Sequence, residues 1–187
     1  MIERIIDDIN KALDAEAYMA ALSLVLTLPD ICAKAEYGDV GSNSLRYIEW
    51  YNENIGQYEC PPNDCGDENP YLSGEIVYQL RCSVLHLGTP NVNKNKIKEG
   101  RCAVDHFTLV VEKKKPFDIY ADASSVVEHN GEKTRSYHVN IRRLCLIITA
   151  TASNYYKKNK DKFTFFEYEI LDWDKAVDEF NRWNGVL

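Results

Sequence analysis

In the stretch Tyr78-Gln79-Leu80-Arg81-Cys82-Ser83-Val84-Leu85-His86-Leu87-Gly88, an arginine and a histidine separated by four residues sit inside an otherwise apolar run that stops at a glycine. Neither polar residue is needed for that run to fold as a helix. An imidazole exchanges a proton near neutral pH, and a guanidinium holds a phosphate oxygen through fixed paired donors. Arg81 and His86 are therefore the candidate catalytic pair, as phosphate clamp and proton carrier respectively, with Cys82 and Ser83 as supporting residues. On a helix, at about 100° and 1.5 Å per residue, the two lie about 140° apart around the axis and about 7.5 Å along it. A joint site then needs the cleft beside the helix or a second chain.

Basic residues follow directly. Lys94, Lys96, Lys98 and Arg101 lie just beyond the motif helix and are candidate RNA-binding residues, against the alternative of a solvated loop. Arg142 and Arg143 could act likewise from a later helix. His106 beside Asp105, and His129 and His138, fall on strand patterns where an ordinary exposed position explains them. Cys60 and Cys65 could join Cys82, Cys102 or His106 around zinc, but structural zinc sites show two tight pairs and the second is missing. We expect no metal and no cofactor. Phe163, Phe165, Phe166 and Tyr168 read as strand packing rather than as base-stacking platforms.

The elements that must position these residues follow from periodicity and turn formers. Ile2, Ile5, Ile6, Ile9 and Leu13 recur at helical spacing, and Asp14 can cap a second helix, Ala15 to about Leu28, the alternative being one bent helix through both. Pro29 predicts a turn, and Asp30 to Glu36 a short helical piece ended by Gly38 and Gly41. Asn43 or Ser42 caps a helix with Leu45, Ile48, Tyr51 (or Trp50) and Ile55 as its buried stripe, stopped by Gly56. Residues 59–70 read as an acidic surface loop. From Tyr71 the pattern resumes as the motif helix, ending at Gly88. Phe107, Leu109 and Val111 alternate with polar neighbours in a strand, and Phe117 to Tyr120 is a second. Ser124–His129 and Glu132–His138 flank Asn130-Gly131, which suits a tight hairpin turn. Val139 to about Asn159 is a long helix with a basic tail, although its β-branched centre fits helix or strand, Phe163 to Leu171 is a strand, and Asp172 caps a last amphipathic helix carrying Trp173, Ala176, Val177, Phe180 and Trp183.

The expected fold class is an α-rich α+β single domain over residues 1–187. A helical bundle (1–88 and 139–160) carries a small antiparallel β insertion (about 105–138) and a C-terminal strand and helix (163–185). Hydrophobic content of 45% excludes disorder. Mean hydropathy of -0.40, without an uninterrupted apolar run of about 18 residues, argues against a membrane span. The start of the chain lacks a secretory pattern, so a cytoplasmic location with reduced cysteines is expected. Net charge is -7, which at first disfavours nucleic acid, but residues 1–75 hold 4 Lys+Arg against 15 Asp+Glu (-11), and residues 76–187 hold 18 against 14 (+4). The acidic half precedes the motif helix and the mildly basic half follows it.

Tyr-x-Leu-Arg, four residues, then His-Leu-Gly on a late helix of a bundle resembles the motif of the HEPN superfamily (higher eukaryote and prokaryote nucleotide-binding). The resemblance spans about residues 1–160 and is sharpest from Arg81 to His86. It implies an HEPN-like bundle acting as a metal-independent endoribonuclease, in which the RNA 2′-hydroxyl attacks the adjacent phosphate at a site formed where two copies of the motif face each other in a homodimer. It further implies a toxin or phage-defence role with an antitoxin or regulatory partner. The sequence departs from the pattern at Cys82, where many active members carry asparagine or another polar residue. A second reading is a non-catalytic HEPN-like dimeric interaction module, whose partner reads the acidic loop around Asp64–Glu68 or the β-hairpin. A third, purely structural reading pairs Arg81 with an acidic neighbour such as Glu75 or Glu49 and has His86 cap the helix C-terminus.

Overall fold

The computed structural model describes residues 2–60, 70–91, 94–97, 103–112, 122–165 and 170–184. The chain begins with the expected amphipathic helix, α1 (Ile2–Asp14), whose Ile2 and Ile9 are fully buried. Asp14 ends α1 rather than capping the next helix. The chain turns at Glu16, which takes a positive φ of 59°, and α2 spans Tyr18–Val25. Pro29 does not make the predicted turn. It sits in the first turn of α3 (Leu28–Tyr37), where a missing N–H costs nothing because no carbonyl precedes it in the ladder. The combined stretch Tyr18–Tyr37 is long and apolar enough to cross a membrane by composition, with mean hydropathy 1.3, yet it breaks into two helices and half of it is buried inside the bundle.

The Ser42 hydroxyl accepts from the Leu45 N–H and starts α4 (Asn43–Tyr51). The buried stripe differs from the expected one. Tyr47, Trp50, Tyr51 and Ile55 face the core, and Leu45 is 62% exposed. Gly56 does not stop this helix either. The backbone widens into a π-helical turn over Asn52–Gly56 and continues as α5 (Gln57–Glu59). A side chain at Gly56 would put its Cβ 2.6 Å from the Asn52 amide oxygen, so glycine makes room for Asn52. That amide then accepts the Gly74 N–H at 2.7 Å, and with the Ser73 hydroxyl, which accepts from Ile76, it caps α6 (Gly74–Leu87). At Gly74 a Cβ would lie 2.5 Å from the Ile48 carbonyl oxygen, so α4 and α6 pack backbone to backbone.

The sheet has the order β1-β3-β2, from β1 (His106–Val110), β2 (Ala123–His129) and β3 (Glu132–Asn140). The hairpin forms as expected, with Asn130 and Gly131 at φ 53° and 82°. The expectation of a purely antiparallel insertion fails at β1, which runs parallel to β3. Its register is pinned beside Arg135, whose carbonyl accepts the Asp105 N–H and whose N–H donates to the Asp105 carboxylate, each at 2.8 Å. The predicted strand at Phe117–Tyr120 lies outside the described residues.

From β3 the chain passes directly into α7 (Ile141–Lys158), capped by the Asn140 side chain. Leu144, Cys145, Ile148 and Ala152 are buried and join α7 to the same core. The predicted strand from Phe163 is not observed over its first residues. Phe163 ends a 3-10 turn (Lys160–Phe163) and packs edge-on against Tyr155 and Tyr156. The last helix, α8 (Trp173–Trp183), is capped by Asp172 as expected, but none of its residues is buried. The result is a helix-rich α+β architecture with a three-stranded mixed sheet.

Candidate functional site

The motif occupies the C-terminal half of α6. Leu80 and Val84 point into the core, which turns Arg81 and His86 toward the surface beside α3 and the start of α4. Gly88 takes the left-handed conformation, φ 64°, and the Gly88 and Thr89 N–H groups cap the carbonyls of Val84 and Ser83. The helix therefore ends immediately after His86, leaving the imidazole exposed at its rim.

The Arg81 guanidinium bridges two groups. Its Nε donates to the Asp30 carboxylate at 3.0 Å, and its Nη1 lies 3.2 Å from His86 Nε2. The 140° between the two motif residues is thus spanned within one chain. The arginine side chain is long enough to cover the rise of five residues, and the histidine, like every helical side chain, leans back toward the helix N-terminus. Because a guanidinium can only donate, the imidazole Nε2 is the acceptor in this contact, so its lone pair faces the cation. Besides Asp30 and His86, the guanidinium also meets the Cys82 side chain through a hydrogen bond.

The acidic partner of Arg81 is Asp30, not Glu75 or Glu49. Asp30 stands in the first turn of α3, and its other carboxylate oxygen accepts from the Asn43 amide at 3.1 Å, which ties α3 and α4 to the motif. Burial pushes the Asp30 carboxyl up from its ordinary 3.8, and Arg81, Asn43 and Arg46 pull it part of the way back. Burial also opposes the Arg81 charge, but Asp30, and then Cys82, outweigh it and raise that pKa. Both side chains of the pair are about one-fifth exposed, 18% for Arg81 and 19% for Asp30, so the bond is shielded on most sides while the outer guanidinium edge stays reachable.

Cys82 is half-buried between Arg81 and Tyr78, and burial, then Cys82, raises the Tyr78 phenol. Tyr78 packs edge-on against Tyr47 at 5.3 Å, closing the floor of the site. Ser83 has a different part. It is 7% exposed on the core side of α6, and its carbonyl receives the Thr89 N–H, so it serves the helix end rather than a substrate.

Beyond the helix, Lys94 and Lys96 fall in a 3-10 turn, with Lys96 exposed and the following Ile97 anchored in the core. Lys98 and Arg101 lie outside the described residues, as do Cys65 and Cys102. Among the described residues, no three histidine, cysteine or carboxylate side chains converge as a metal site would require. Arg143 is not free to meet a substrate. Its guanidinium donates to both Glu59 oxygens at 2.6 and 2.8 Å and to Asp122 at 2.7 Å, stapling α5, the sheet and α7 together. Arg142 bonds the Leu13 carbonyl at 3.4 Å and lies over the Tyr18 ring. His106, His129 and His138 are exposed strand residues.

Comparison with protein-family models, with curated proteins and with solved structures returns no match for this chain.

Proposed function

We propose that the chain is a metal-independent endoribonuclease of the HEPN type, working as a homodimer through Arg81 and His86. The observation that carries this reading is the 3.2 Å contact between Arg81 Nη1 and His86 Nε2, with Asp30 fixing the far side of the guanidinium. A phosphate oxygen arriving at the outer edge of the guanidinium would compete for Nη1, and Nε2 would then turn its lone pair to the RNA 2′-hydroxyl. The 2′-oxygen forms a bond to phosphorus as the P–O5′ bond breaks, the imidazole takes the 2′ proton, and the leaving 5′-oxygen takes a proton from an acid. Arg81 offsets the charge that builds on the phosphorane oxygens.

Acid and base must act in one step, and this cluster holds a single histidine. A second copy of the motif, facing the first, supplies the other imidazole. A role as a toxin or phage-defence effector fits this chemistry and comes from the resemblance alone. Incubation of the purified chain with total RNA in the presence of a chelator tests the proposal. Cleavage that is lost in both Arg81→Ala and His86→Ala, with helicity intact by circular dichroism, supports it. Intact RNA under wild-type protein sinks it and leaves the non-catalytic dimeric module, a reading favoured by the half-buried Arg81–Asp30 ion pair, which has structural value without any substrate.

A further inference from the structure

The π-helical turn at Asn52–Gly56 does more than seat Asn52. It sets Glu53 and Asn54, followed by Tyr58 of α5, against the C-terminal half of α7, and the two walls enclose an open cleft of about 430 Å³. A wide turn inside a helix rotates every later residue about the axis, and such turns recur at functional sites. The volume suits a small ligand, and none of the lining residues belongs to the Arg81 site. From α7 come Asn154 and Lys158, with the capping Asn159. Asn54 and Asn159 donate to the carbonyls of Trp50 and Tyr155, at 2.8 and 2.9 Å, which leaves their amide oxygens as acceptors. Glu53 accepts the Tyr37 hydroxyl at 2.7 Å through one carboxylate oxygen, leaving the second. The side chains of Tyr58, Asn154 and Lys158 have no partner among the described residues.

Those groups point to one chemistry. Tyr58 is 79% exposed at the cleft, a flat ring on which a base can stack. Asn154 offers a donor and an acceptor side by side, the pattern that pairs with the edge of an unpaired base, and the amide and carboxylate oxygens can accept from an exocyclic amino group. Lys157 and Lys158 end α7, both exposed and both without a partner among the described residues, and two such ammonium groups suit a phosphate. A sugar would use the ring and the amides but leave the lysines idle. We propose that this cleft is a subsite for one unstacked nucleotide of single-stranded RNA, with its base on Tyr58, the base edge on Asn154 and the phosphate on Lys158. The inference rests on the reading of RNA as the substrate and names where part of that RNA is held. Helix α3 joins the two regions, because Asp30 in its first turn holds Arg81 and Tyr37, its last residue, holds Glu53. The two are seven positions apart, about 10 Å along the helix, which a short single strand can span.

The experiment uses the full chain carrying His86→Ala, so that RNA stays intact, and short fluorescein-labelled homopolymers of A, C, G and U, with affinity read by anisotropy and amide exchange of residues 150–159 by mass spectrometry. That segment should gain protection when RNA binds. Tyr58→Ala, at an exposed position, should weaken binding by about 10-fold or more for every base. Asn154→Asp replaces the donor by a second acceptor and should change the order of preference among the four homopolymers. Lys158→Ala should reduce the slope of log affinity against log salt by about 0.7. RNA that does not bind, or binding that is unchanged in Tyr58→Ala with residues 150–159 unprotected, overturns the proposal. So does a nucleoside monophosphate bound as tightly as the homopolymers, which makes the cleft a site for a free nucleotide. The subsite and the nuclease fail separately. Binding that depends on Tyr58 and Asn154, without cleavage by the wild type, keeps the subsite and removes the nuclease. Cleavage by the wild type, with binding untouched in all three variants, removes the subsite and keeps the nuclease.

Discussion

Arg81 and Asp30 stand 51 positions apart in the chain and meet through Nε and Oδ2 at 3.0 Å, so the guanidinium that reaches His86 is aimed from another helix. Asp30 is thereby a positioning residue for the proposed reaction. Asp30→Ala should lower RNA cleavage by about 10- to 100-fold, because small displacements of a clamp are costly. Asp30→Asn keeps an acceptor for Nε and should recover most of that loss. Cleavage by Asp30→Ala at the wild-type rate, in an assay where Arg81→Ala is inactive, would remove Asp30 from the site.

The same carboxylate predicts a pH dependence of stability. Burial holds the Asp30 pKa above 3.8, so the folded chain keeps this proton more tightly than the unfolded chain, and the stability contributed by this group declines as pH rises through the raised value. Asp30→Asn cannot titrate. Urea midpoints of wild type minus variant should therefore move against the wild type from about pH 4 toward neutrality. Glu36 gives the opposite sign. Hydrogen bonds from Lys162 and Tyr155 lower its pKa below 4.5, so its contribution is present above that value and fades as pH falls through the lowered one. Relative to Glu36→Gln, the wild type should lose ground on acidification, and a flat difference would contradict the assignment.

Gly74 is where α4 and α6 touch. A methyl group there would sit 2.5 Å from the Ile48 carbonyl oxygen and 3.0 Å from the Asn52 amide oxygen. Although alanine is the better helix former, Gly74→Ala should cost about 1–3 kcal/mol in urea unfolding, because neither backbone can move without breaking the cap. A variant as stable as the wild type would show that the two helices slide apart freely.

Arg143 separates a structural cation from a nucleic-acid contact. With only one-fifth of its side chain exposed, it neutralises Glu59 and Asp122, and Arg143→Met would leave two shielded carboxylates facing each other. We expect destabilisation of about 2–3 kcal/mol and no change in affinity for single-stranded RNA once the protein is folded. Weakened RNA binding at unchanged stability would return Arg143 to the list of RNA contacts.

Periodicity and turn chemistry made much of the fold legible. α1, α6, α7, α8 and the Asn-Gly hairpin were all expected, because each rests on local signals: apolar spacing, a capping side chain, a left-handed residue. The failures came where a distant contact overrode the local one. Gly56 reads as a helix stop until Asn52 needs its space, and Pro29 reads as a turn until α2 ends just before it. β1 was foreseen as a strand, but its parallel direction depends on an edge of β3 that no neighbouring residue specifies.

For the site, the sequence alone determined the chemistry on offer: an arginine and a histidine at the end of one apolar helix, with basic residues following. Only the tertiary structure decided that they touch within one chain, that Asp30 and not a nearer glutamate holds the arginine, that Ser83 faces the core, and that the aromatic face of α8 is left bare. Residue types and short-range spacing fix what a helix can present. Which groups meet depends on side-chain reach and on the packing of α3 and α4 against α6, and those are properties of contacts between segments far apart in the chain.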